Sequence, residues 1–136
     1  AGTAGQSAKP RKSPHVEIVA VARVSSHPRK TRHSNGRHFE EFHVVILSAR
    51  IGPDQPRDAD PGLSIARDRP VHVVHDLSCG GKWLDLVIGD EVEIQGEYVQ
   101  PPDGKDLIHF THPSGGSCGS AQSHPGGYLR KRARAA

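Results

Sequence analysis

A chain of 136 residues, 34% hydrophobic and 4% aromatic, can close one small domain around a thin aliphatic core. Fifteen Gly and eleven Pro favour turns over long helices, and no apolar run is long enough to span a bilayer. The formal charge of +3 is modest but uneven, with cations gathered near the start, in the first turn region and at the end.

Residues 1–14 form a polar arm that contains Lys9, Arg11 and Lys12 and shows no periodicity, so it is expected to have little intrinsic structure. Its opening AGTAGQSA is the small, polar kind of sequence that follows a signal-peptidase site, and the chain has no methionine. Residues 15–25 read as a strand with Val16, Ile18, Ala20, Ala22 and Val24 on one face. Val19 and Val21 make the other face apolar too, which predicts a strand covered on both sides. Residues 26–36 are a long basic turn, tightest at Asn35-Gly36.

The second strand spans 38–51; its first half alternates and its second half is apolar on both faces, as in a strand that bends round a barrel corner. A Pro/Asp-rich loop over 52–69 follows, long enough to be functional or an insertion. The third strand, 70–77, sets Val71, Val73, His75 and Leu77 against His72, Val74 and Asp76. KWLDLV after Gly80-Gly81 can form one helical turn. In 89–98, Val92, Ile94 and Tyr98 alternate with Glu91, Glu93, Gln95 and Glu97. Gly96 interrupts the apolar face, as where a strand bends or another backbone comes close. After the turn at Pro101-Pro102-Asp103-Gly104, a return strand over 106–112 sets Ile108 and Phe110 against Leu107, His109 and Thr111. A Gly/Ser-rich stretch ends at Tyr128-Leu129, which can dock a last short segment.

Five strands with these connections predict an all-β fold, a small five-stranded OB-like barrel with long loops and irregular termini; a plain sandwich is the alternative. The domain is expected over 15–129, between the 1–14 arm and a basic 130–136 tail. Its predicted core is Val16, Ile18, Val45, Leu47, Val73, Val92, Ile94, Ile108 and Phe110.

Four motifs run through the second half: Val73-Val74-His75-Asp76-Leu77, Gly89-Asp90-Glu91-Val92 with Gly96-Glu97-Tyr98, Ile108-His109-Phe110-Thr111-His112, and His124-Pro125-Gly126-Gly127-Tyr128. In these the chain resembles a family of small, often exported bacterial proteins catalogued as a domain of unknown function. That resemblance implies an OB-like barrel and no particular activity. The 52–69 loop and the SGGSCGSAQS insert depart from the pattern.

His75, His109, His112 and His124 fall within these motifs, and imidazole is both a common zinc ligand and a proton carrier near neutral pH. Convergence at one rim of the barrel would make a site for a divalent transition metal such as zinc, or for hydrolytic proton transfer; loop-pinning hydrogen bonds are the plainer reading. Asp76 or Glu97 could orient a histidine or act as a base. Ser78 and Thr111 lack the setting of a nucleophile, and Cys79 has no activating partner in sequence. Cys79 and Cys118 instead fit one disulfide in an oxidising compartment, and with the opening residues they favour export to the periplasm or beyond; free thiols in a cytosolic protein are the alternative.

Polyanion binding would use Arg29, Lys30, Arg32 and Arg37 in the first turn and Arg130, Lys131 and Arg132 at the end, with nucleic acid or acidic polysaccharide as partner. Solvated tails are the plain alternative for the same cations. A third reading is a homo-oligomer that donates its terminal arms to neighbouring sheets.

Overall fold

A computed structural model describes residues 13–34, 36–78, 82–111 and 126–132. These form seven strands and no helix: β1 (His15–Val24), β2 (Arg29–Arg32), β3 (His38–Ile51), β4 (Val71–Asp76), β5 (Glu91–Val99), β6 (Leu107–His109) and β7 (Tyr128–Lys131). Five close a barrel in the order β1-β3-β4-β6-β5, with β5 pairing back onto β1. β4 and β6 run parallel and every other neighbour is antiparallel. That is the expected OB-like barrel. The two further strands lie alongside it, β2 on β3 and β7 on β5.

The core follows from period-two alternation. β1 sends in Val16, Ile18, Ala20, Ala22 and Val24; β4 sends Val71 and Val73; β5 sends Val92, Ile94 and Tyr98; β6 sends Ile108. On β3 the buried set is Phe42, Val44 and Ile46, not the expected Val45 and Leu47, which are half-buried. Val44-Val45-Ile46-Leu47 is apolar on both faces, so alternation within it cannot choose; Phe42, in phase with Val44 and Ile46, does. Each such side chain contributes roughly 1.5–3 kcal/mol on full burial, so the phase is strongly determined. Between Val21↔Ser48 and Ala22↔Ile46 the ladder slips, leaving Leu47 as an extra residue in a bulge. The Arg67 guanidinium donates to the Leu47 carbonyl at 2.8 Å.

The return strand is shorter than predicted. It ends at His109 because Phe110 has φ 56°, a left-handed conformation that breaks the alternation. Phe110 therefore leaves the core and turns beside His109, while Thr111 goes in and is fully buried. Residues 82–87 are irregular, with Asp85 left-handed at φ 53°, and the expected helical turn is absent.

The 52–69 loop straps the outside of β1. Gly52 N–H donates to the Glu17 carbonyl (2.8 Å), Asp60 N–H to the His15 carbonyl (2.7 Å), and Gln55 Nε2 to the Glu17 carbonyl (2.7 Å). This covers His15 and Glu17, whereas Val19 and the half-buried Val21, the apolar part of that face, line a hollow with Ser48, Arg50 and Glu93. Ala66 N–H then donates to the Tyr98 hydroxyl (2.9 Å), Tyr98 donates to Asp106, and Arg69 pairs with Asp106 at 3.0 Å.

Cys79, Cys118, His112 and His124 lie outside the described residues. Arg130 and Lys131, at the start of the expected basic 130–136 tail, lie in β7.

Candidate ligand-binding face

Because Glu40, Phe42 and Val44 point inward on β3, Phe39, Glu41 and His43 point outward. The register sets them opposite Asp76, Val74 and His72 of β4, and sets Thr31 and Arg29 of β2 beside Phe39 and Glu41. One outer face is thus laid across three strands. Where β6 ends, His109 and Phe110 join it, and the β2–β3 turn contributes His33 and Arg37. Two hollows of about 370 and 310 Å³ mark this face. They are large enough to seat a base or a sugar ring.

Its rings come in pairs. His33 lies 4.1 Å from Phe39 between centroids, His109 stacks on Phe110 at 3.8 Å, and His43 stacks on His72 at 5.1 Å. Glu41 sits between two of these pairs. The His72 Nε2–H donates to its Oε1 (3.0 Å), the His33 Nε2–H to its Oε2 (3.1 Å), and the Thr31 hydroxyl also donates to Oε2. Burial alone would raise the Glu41 carboxyl, but the bonds from Thr31 and His33 and the charge of both histidines outweigh it and hold it below the ordinary carboxylate value. His43 is held below the usual histidine value by burial first, then by the charges of His72 and Arg29. At the other hollow Arg37 Nη1 stands 3.7 Å from Asp76 Oδ2, and His109 Nε2–H donates to Glu97 at 2.9 Å.

Of the histidines singled out from the motifs, the two among the described residues, His75 and His109, point to different sides of the sheet. Val73 and Ile108 pair with both side chains inward, so His75, two residues past Val73, is buried, whereas His109, next to Ile108, faces out. The Lys82 carbonyl can only accept, so a neutral His75 carries its proton on Nε2 (3.2 Å), and Nδ1 accepts from the Thr111 hydroxyl (2.7 Å). Thr111 therefore orients His75. Among the described residues no three His, Cys, Asp or Glu side chains converge as a metal-binding set.

The cations also separate. Arg29 and Arg37 line the ring-bearing face, whereas Lys30 and Arg32 alternate to the other side of the hairpin. Arg130, Lys131 and Arg132 are matched by Glu93 (2.9 Å), Asp90 (3.3 Å) and Glu91 (3.7 Å). His33, His43 and His72 escaped the motif reading. The available signal was alternation itself, which puts His43 and His72 on outward positions of adjacent strands. No protein-family model, curated protein or solved structure gives a significant match to the chain.

Proposed function

We propose that the protein is a polyanion-binding module that lays a single-stranded nucleic acid across the outer face of β3 and β4. The observation that carries this reading is the set of ring pairs on that face, His33 with Phe39 and His109 with Phe110, with Arg29 and Arg37 beside them. Bases stack on exposed rings while cations track the phosphates, and small OB barrels use this face and its bordering loops for such ligands. Acidic polysaccharide offers the anion without the stacking base, so the ring pairs favour a nucleic acid. The β5–β7 side is less suitable, since its Tyr128 ring already lies under the Arg130 guanidinium, 4.7 Å from the centroid.

Titration of a fluorescent oligothymidine, read by anisotropy at several salt concentrations, tests the reading. Log affinity should fall linearly with log salt. Phe39→Ala should weaken binding about fivefold or more with the slope unchanged, as loss of one stacking platform predicts. Arg29→Ala should reduce the slope by about 0.7. Salt-independent binding, or binding indifferent to Phe39, overturns the proposal; tighter binding of an acidic polysaccharide than of the oligonucleotide overturns the choice of ligand.

A further inference from the structure

The hollow nearer β1 has a peculiar charge balance. On it Arg29 is the guanidinium and Glu41 the carboxylate, and the two offset each other. The remaining titratable groups are histidines: His27 from the 25–28 connection, His43 from β3 and His72 from β4, with His33 reaching Glu41 from the hairpin turn. Thr31 and Ser26 complete the wall as uncharged donors or acceptors, Ser26 Oγ lying 3.2 Å from His43 Nδ1. The net charge offered to a phosphate here is therefore set by imidazoles. Histidine is the side chain whose charge ordinarily changes between pH 5 and 8.

We propose that binding of an anionic strand to this face takes up protons on His27, His33, His43 and His72, so that the module captures its ligand in mildly acidic solution and releases it toward pH 8. The proposal rests on the polyanion reading above and adds its regulation. The geometry supports it at each ring. His33 and His72 keep the same Nε2–H bond to Glu41 whether neutral or charged, so protonation adds a charge without rebuilding the site. Once both are charged, Glu41 is more than neutralised and ceases to repel a phosphate. His43, stacked 5.1 Å from His72 and near Arg29, meets two cations as neighbours. An arriving phosphate relieves that repulsion, so His43 gains most from the ligand. By linkage the effect is reciprocal: protons tighten the ligand and the ligand tightens the protons.

The test uses the full chain and an oligothymidine, whose base does not titrate in this range, at constant ionic strength. Affinity should rise at least tenfold from pH 8 to pH 5.5. Calorimetry at pH 6.5 in buffers of different ionisation enthalpy should show net uptake of one proton or more per strand bound. The triple variant His33→Gln, His43→Gln and His72→Gln cannot charge at these rings; compared with itself across pH, it should gain less than threefold from pH 8 to pH 5.5, whatever its affinity at pH 8. Affinity that is flat with pH while Phe39→Ala still weakens binding overturns the proton coupling and leaves the nucleic-acid reading standing. No binding at any pH overturns both. If the variant unfolds, the calorimetric proton count on the parent decides alone, and a count of zero is fatal.

Discussion

Glu40 is fully buried opposite His75 in the β3–β4 ladder. Its Oε1 accepts the Leu84 amide at 3.3 Å, and among the described residues Oε2 has no hydrogen-bond partner. Burial pushes the carboxyl up to about 7; the Leu84 amide opposes this weakly and the charge of Asp85 adds to it. A raised carboxyl binds its proton more tightly folded than unfolded, so the stability that Glu40 contributes is greatest at low pH, declines between about 4.5 and 7, and is flat above. Glu40→Gln keeps an acceptor for Leu84 and removes the charge. It should stabilise the protein by roughly 1–3 kcal/mol at pH 8.5 and erase that decline. Urea denaturation at pH 5.5 and 8.5 reads this, and a variant weaker than the parent at pH 8.5 contradicts it. The burial of Glu40 was legible only as a phase, two residues before Phe42; a carboxylate there gives no warning. Gly96 was legible outright. A Cβ there would lie 2.6 Å from the His109 carbonyl, the close backbone approach that a glycine inside an apolar face implies.

At the scale of elements, alternation located β1, β3, β4 and β5 because each has one face that water must not reach. It failed where both faces are apolar, at Val44-Val45-Ile46-Leu47, and where one dihedral angle resets the phase, at Phe110. Both failures shift the candidate site: the first hides which side of β3 is outward, and the second moves Phe110 from the core to the ring-bearing face. Composition identified the 52–69 loop as exceptional but not as a strap, since its anchors are long-range. Tyr98 is the main one, its hydroxyl accepting from Ala66 N–H and donating to Asp106. Asp106 is fully buried on its side chain, and its Oδ1 has no hydrogen-bond partner among the described residues. Tyr98→Phe leaves the second oxygen with weaker support as well and should destabilise the fold by about 1–3 kcal/mol. It should also open the strap to protease around residues 61–70 before the barrel itself is cut. Equal loss of strap and barrel in a limited digest would show that the strap is not a separate layer.

At the whole-molecule scale the barrel carries its ring pairs on one outer face, and the rest of the surface bears on whether that face is the proposed binding site. The C-terminal cations are matched by Asp90, Glu91 and Glu93, Lys30 and Arg32 turn away, and the ring pairs collect on β3, β4 and the neighbouring segments. Backbone amide shifts of isotope-labelled protein, followed at pH 6 as oligothymidine is added, test this most directly. The largest changes should fall on His33, Phe39, Glu41, His43, Val74 and Phe110, with β7 nearly silent. Changes concentrated on Glu91, Glu93 and Arg130–Arg132, with β3 and β4 quiet, would contradict it.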